Sequence, residues 1–293
     1  MRSSSANISP EFLFCNQGAR RMNIDKLRVM PEAEYHAESK SGAKLSSHML
    51  MEFIHCPLTY NQKLTGEIAD EQTDAMLLGS AAHCLILQGD AAFNAAYMVA
   101  EGPVNPKTGT PYGRMTKAYK DWLAVQPHPV VTPNDYAVIA QTRQAIWRHK
   151  DASSILSQGF AERVVDFAIE GEPCHARFDW IDPEREILAD LKTCADLDGF
   201  TREAINRDYI LQLAFYLRAA RAAGIAIGHA YLIAAEKKAP YRVAVYEVEK
   251  GSLDRADTRI VEGVKDLRAA REAGEWKTGY EGVRPLAYPP HMA

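Results

Sequence analysis

The chain has 293 residues, of which 47% are hydrophobic and 25% charged, and a formal net charge of −4. This suits one large soluble domain, or one domain with a smaller lobe. No run of 18 apolar residues is present, which excludes a membrane-spanning helix. The mild acidity neither identifies a basic nucleic-acid binder nor excludes a local positive channel.

Residues 1–42 are polar, mixed in charge and weakly periodic, and are expected to be flexible or irregular. The apolar patch Phe12 to Phe14 lacks the longer core of a secretory signal. From Ser46 to about Leu64 the pattern is helical, with Ser46 or Ser47 as cap and Pro57 as a kink or break. An acidic linker, GEIADEQTDA, leads into the apolar run 75–89, whose Gly79, Ser80, Ala81 and Ala82 allow close helix packing. A turn-rich stretch covers 101–114, and helices are expected near 115–125 and 134–157.

After Gly159 the character changes. AERVVDFAIEG, CHARFDWI and EILADLKT read as three strands, the last two joined by a turn at Asp182-Pro183. A long helix is expected over 198–223, then strands HAYLIAAE and YRVAVYEVE, and a last helix over 254–273. This order predicts an α/β fold, a central mixed β-sheet flanked by helices. The expected divisions are 1–42, a helical region 43–158, the core 159–275 and an extended tail 276–293. The five cysteines, Cys15, Cys56, Cys84, Cys174 and Cys194, form no C-x-x-C pair and are odd in number. That argues against a disulfide framework and against clustered zinc or iron–sulfur sites, and points to a reducing cytoplasm.

The strand ILADLKT carries an acid and a lysine two residues apart. Leu188, Asp190 and Lys192 therefore share one face, and Ile187, Ala189 and Leu191 the other. A surface salt bridge is the plain reading of that trio. The preceding strand changes the balance, because a four-residue turn can bring Asp179 near Asp190. Phe178 and Trp180 would then share the face opposite Asp179. Two close carboxylates call for a proton or a hard divalent cation between them. Lys192 would orient a water, stabilise phosphoryl charge or, with its pKa lowered, act as a base. Glu162 and His83 are further candidate ligands, although a lone histidine among apolar residues is more often packed. Asp208, Gln212 and Tyr216 are spaced four apart and predict one helical face. Arg177, Arg202, Arg207 and Arg218 are candidate phosphate contacts or ordinary surface charges.

FDWIDPEREILADLKT followed by YILQLAFY resembles the PD-(D/E)XK nuclease superfamily, as D-x10-D-x-K with a downstream Q-x3-Y typical of its RecB-like branch. LLGSAAHCLIL resembles the G-S-x-x-H motif of the exonuclease VIII (RecE-like) group, and NPKTG its following loop. The resemblance covers about residues 45–250 and implies a restriction-endonuclease-like core. It implies that His83, Asp179, Asp190 and Lys192 are active-site residues, with Glu162 as an additional acid and Gln212 and Tyr216 as the accessory motif. The backbone carbonyl of Leu191 is a further expected metal ligand. The implied cofactor is Mg2+ or Mn2+. The implied substrate is double-stranded DNA with free ends, digested 5′ to 3′ without ATP. A single-strand annealing protein and a ring-like homo-oligomer, tetramer or trimer, are the implied partners. The rival readings are an endonuclease or a Cas4-like or repair nuclease on the same fold, a hydrolase of small phosphoesters, and a non-catalytic DNA-binding recombination scaffold. No G-x-G-x-x-G or G-x4-G-K-[ST] loop is present.

Overall fold

The computed structural model describes residues 24–69 and 73–286. The expectations for residues 1–23 and the end of the tail, 287–293, lie outside the described residues. A short strand β1 (Arg28–Val29) and helix α1 (Glu32–Lys40) come first. The region 24–42 is thus not irregular throughout. Its periodicity is weak because α1 buries only Tyr35 and Ser39. Tertiary contacts hold it, with the Tyr35 ring stacked on His175 at 4.0 Å.

Helices α2 (Ser47–His55) and α3 (Pro57–Leu64) meet at the expected break. Ser46 caps α2 by accepting from the Met49 N–H, and Pro57 starts α3 where its missing N–H costs nothing. Next come α4 (Asp74–His83), a π-helical turn (Cys84–Gln88), α5 (Asp90–Ala96), β2 (Met98–Val99), α6 (Lys117–Leu123) and β3 (Val130–Val131). The helix expected over 134–157 is two, α7 (Pro133–Arg148) and α8 (Lys150–Ile155). His149 is extended between them, and its Nδ1 accepts from the Ala152 N–H to cap the second.

Strands β4 (Phe160–Ile169), β5 (Glu172–Asp182) and β6 (Ile187–Cys194) form an antiparallel meander. Glu170 and Gly171 both have positive φ, as a two-residue hairpin with right-handed strand twist requires. In the next turn Asp182 accepts from the N–H groups of Glu184 and Arg185 at 3.0 and 3.1 Å. Helices α9 (Phe200–Asn206) and α10 (Tyr209–Ala222) replace the single helix expected over 198–223. Asp208, in the left-handed conformation, breaks it. They make the crossover that lets β7 (His229–Glu236) lie parallel to β6. Strand β8 (Val243–Glu247) pairs antiparallel with β7, and α11 (Lys250–Ala273) completes the described fold. The mixed six-stranded sheet has the order β1-β4-β5-β6-β7-β8.

Both faces of the sheet are covered. On one, Leu50 and Phe53 of α2, Leu213 and Phe215 of α10 and Ile260 and Val264 of α11 pack on Val165, Phe178, Leu188 and Leu232. On the other, Ala81 and Ala82 of α4, Phe93 of α5, Ile139 and Ile146 of α7 and Ile155 of α8 pack on Trp180, Ala189, Leu191 and Ile233. Gly79 has nothing near the place of a Cβ, so the buried alanines bring α4 close to the sheet. Phe178 and Trp180 therefore lie in opposite cores, not on the shared face expected from alternation. The physical reason is a break in the β4–β5 ladder. Pairs run from Phe160–Ile181 and Ala161–Trp180 straight to Arg163–Phe178, omitting Glu162 opposite Asp179. Glu162 has φ 53°, and the facing of both strands switches across this step.

Phe215 is fully buried and meets Phe167 edge-on at 5.1 Å. Phe215→Ala is expected to cost about 3–5 kcal/mol, read as a lowered urea midpoint with the native fold retained.

Candidate active site

The break in the ladder and the carboxyl end of β6 lie next to each other, and the acids gather there. Asp190 has no exposed surface, and Asp179 is 8% exposed. The Leu191 N–H donates to Asp179 Oδ2 at 2.9 Å, so a side chain takes a place in the ladder. This is the register that the hairpin reading left open, and it sets Asp179 beside Asp190. His83, the last residue of α4, puts Nδ1 3.3 Å from Asp179 Oδ2. Ligand atoms of His83, Glu162 and Asp179 all lie within 4.8 Å of one another.

Lys192 Nζ is 2.6 Å from Asp190 Oδ2 and donates to Gln212 Oε1 at 2.9 Å. It also lies 4.7 Å from the centre of the Tyr209 ring, a cation–π contact. Gln212 in turn donates to the Tyr216 hydroxyl at 2.8 Å. The Gln212–Tyr216 pair on one turn of α10 thus fixes the ammonium from behind. Asp208 does not join that face. It precedes the helix and pairs with Arg259 at 2.7 Å and His55 at 3.2 Å.

Burial and charge oppose each other at each group. Burial pushes the Asp190 carboxyl up to about 6 against the pull of Lys192. Burial and then the Asp179 charge raise Glu162 to about 7, although Arg177 opposes them. For His83 burial favours the neutral ring, but Asp179 outweighs it and raises the pKa to about 9. Burial also acts to raise Asp179, yet His83, then Lys192 and the Leu191 N–H, hold it below the usual carboxylate range. Lys192 is raised because Asp190 and Asp179 outweigh its desolvation.

The residues fit a hard divalent cation. Asp190 Oδ1 is buried without a hydrogen-bond partner, which is costly unless a cation completes it. The donor set of carboxylate oxygens and one imidazole suits Mg2+ or Mn2+. A second group, Glu38, Asp166 and His175, is neutralised from within, since Lys44 lies 2.9 Å from Glu38 and 3.0 Å from Asp166.

Of the arginines, Arg177 faces the site. Its Nε is 2.8 Å from Glu162 and its Nη1 3.5 Å from Glu32 of α1. Arg218 is bound to Asp257 of α11 through Nε and Nη2, as an ordinary surface charge would be, the alternative that its sequence left open. Arg207 pairs with Glu203 at 3.1 Å. Sequence reasoning missed Tyr209 and Glu32. Tyr209 had a signal, since it lies three residues before Gln212 on the same helix. Glu32 had none, because folding alone brings it to Arg177.

A restriction-endonuclease-like core with a buried cluster of acids defines the class. The chain belongs to the family described as "PDDEXK-like domain of unknown function (DUF3799)", whose model matches residues 46–283. It is a member of the PD-(D/E)XK nuclease group. A solved structure from Eubacterium rectale, named "putative exonuclease", is similar over 89% of this chain and 96% of its own, with a TM-score of 0.63 and 17% identity. A phage-related exonuclease from Haemophilus somnus 129PT is 14% identical over 79% of this chain and 96% of its own, with a TM-score of 0.34. The first likeness concerns the fold alone. No curated protein matches the chain. No helix of the described residues is long and apolar enough to cross a membrane.

Metal binding must displace protons from His83, Glu162 and Asp190, with ordinary values raised to about 9, 7 and 6. Each is released as pH rises, so affinity for Mn2+ or Mg2+ is expected to increase with pH from about 6 upward. Calorimetric titration in buffers of different ionisation enthalpy should also detect proton release. An affinity flat across that range would remove these groups from the ligand set.

Proposed function

We propose that the protein is a metal-dependent deoxyribonuclease, an ATP-independent exonuclease that digests linear double-stranded DNA 5′ to 3′ and leaves a 3′ strand for recombination. The observation that carries the hydrolytic reading is the fully buried Asp190, with an unpartnered oxygen, beside Lys192 and one strand from Asp179. Polarity and exonuclease action rest on the resemblance of the G-S-x-x-H, D-x10-D-x-K and Q-x3-Y series to the exonuclease VIII group. The same resemblance supports a single-strand annealing protein as partner and a ring-like tetramer or trimer.

In this reading Asp179, Asp190 and His83 hold Mg2+ or Mn2+, with Glu162 and the Leu191 carbonyl completing the set. The ion, when bound, acidifies a water and offsets phosphate charge. Lys192 is an ammonium at neutral pH, since its pKa is raised by Asp190 and Asp179 against burial, which favours an electrostatic role over that of a base. It donates to the attacking water or to a phosphate oxygen. The Gln212 side-chain oxygen accepts one of its N–H hydrogen bonds and fixes its direction. Tyr216 holds Gln212, and its own hydroxyl stays protonated because burial, then Asp179 and Asp190, raise its pKa. Arg177 balances Glu162 and keeps the extra acid aimed inward.

Linear duplex labelled separately at each 5′ and 3′ end, with a closed circle as control, tests the reading in Mg2+, Mn2+ and EDTA without ATP. Early release of the 5′ label with the circle spared is the expected result. Cutting of the circle would make the protein an endonuclease, and no cleavage with either metal would favour the DNA-binding scaffold. Asp179→Ala and Lys192→Ala are expected to abolish cleavage with an unchanged circular dichroism spectrum; normal cleavage by either would remove the assignment. Gln212→Ala, which frees Lys192 without touching the metal, is expected to lower kcat about 10- to 100-fold with little change in KM for DNA.

A further inference from the structure

Strands β6 and β7 run parallel and end side by side, and in open α/β sheets ligands bind in the crevice beyond such carboxyl ends. Here the crevice has a volume of about 450 Å3, and its lining includes Thr193, Arg202, Glu203, Asn206, Arg207 and Lys237. It begins at the residue after Lys192. With a strand rise of about 3.3 Å per residue, its lining residues Thr193 and Cys194 lie within ~7 Å of Lys192 along the backbone.

The charges around it are segregated. Arg207 is committed to Glu203, which also accepts from the Tyr209 hydroxyl at 3.4 Å. Arg202 and Lys237 have no ion pair or side-chain hydrogen bond among the described residues, and neither have the Asn206 amide and the Thr193 hydroxyl. The acids of the adjoining loop are turned away and do not line the crevice. Asp196 and Asp198 accept from Arg242 at 3.0 and 3.2 Å. Buried Glu236 accepts from the same guanidinium at 2.7 Å and from the Leu197 N–H at 3.0 Å. Two uncommitted cations and two neutral hydrogen-bonding groups, with the lining carboxylate of Glu203 already paired to Arg207, make an anion site, not a cation site.

We infer that this crevice is a phosphate subsite, which holds a backbone phosphodiester of the DNA strand close to the bond that is cut. Arg202 and Lys237 supply the charge, and Asn206 and Thr193 the neutral hydrogen bonds. The inference rests on the proposed reading of the protein as a DNA nuclease. Tyr209 links the two sites mechanically, since its ring touches Lys192 and its hydroxyl touches Glu203 on the crevice wall. A phosphate seated here would set the register of the strand over Lys192 without reading its sequence.

The test is the affinity of the full chain for a fluorescent linear duplex, by anisotropy in EDTA to prevent cleavage, over a series of salt concentrations. The variants are R202A/K237A, the charge-conserving R202K/K237R, and K250A/K265A on α11 as a control that removes equal charge elsewhere. Each lost phosphate contact lowers the slope of log K against log salt by about 0.9. R202A/K237A, which frees the one phosphodiester seated in the crevice, is therefore expected to flatten the slope by about 0.9 and to weaken binding equally for unrelated sequences. R202K/K237R and K250A/K265A should keep the wild-type slope. A wild-type protein that binds with a salt-dependent affinity while R202A/K237A keeps its slope would overturn the subsite alone. So would an equal loss in K250A/K265A. A wild-type protein with no affinity for DNA would overturn the nuclease reading together with the subsite.

Discussion

Asp190 and Lys192 place a carboxylate and an ammonium inside the end of a sheet, where little of either reaches water. Removing two charges from water costs several kcal/mol per ion unless geometry and further hydrogen bonds offset it. The surroundings supply part of that compensation. Lys192 has Asp190, Gln212 and the face of Tyr209. Asp179 has the Leu191 N–H and His83. Asp190 is the group left incomplete, with one oxygen unpartnered. A site with one unsatisfied buried oxygen among converging acids is poised for a cation, and this ties the electrostatics of the fold to its chemistry.

The second constraint is the interrupted ladder between β4 and β5. In an unbroken strand pair Glu162 and Asp179 would continue the alternation of their neighbours. Instead Glu162 adopts a left-handed backbone, disfavoured for a residue with a side chain, and the facing of both strands switches. Arg177 grips Glu162 and Glu32, and Asp179 is held by an N–H that the ladder would otherwise use. The local irregularity thus re-aims two acids toward one point, as bulges next to active sites do.

The covering layers hold this arrangement from both sides. Helix α10, packed on β4 and β5 from one face, carries Gln212 and Tyr216 behind Lys192. Helix α4, packed on the other face through Ala81 and Ala82, ends at His83 and continues into a π-helical turn. Neither helix could be shifted without moving a residue of the candidate site. The crossover between β6 and β7 that places α10 also creates the basic crevice beyond their ends, so one connection serves both sites.

Much of this was legible in the chain because it is local. The period-two pattern of EILADLKT put Asp190 and Lys192 on one side, and the apolar runs marked the strands, since alternation and burial act over neighbouring residues. The order of strands and helices was enough for a mixed sheet with helices around it, and the motif series for the PD-(D/E)XK likeness. Other features depended on tertiary structure. Asp208 left the helix for Arg259 and His55, which ended the long helix expected there. His149 split another helix by capping the second half. Phe178 and Trp180 parted into opposite cores, because cross-strand pairing at Glu162 overrode alternation. The burial of Asp190, the Arg177–Glu162–Glu32 chain and the uncommitted Arg202 and Lys237 arise between segments far apart in sequence. The sequence by itself determined which residues could carry charge on which face of each element. Only the folded chain decided which of those charges met a partner and which were left for a ligand, since pairing depends on distances that local periodicity does not contain.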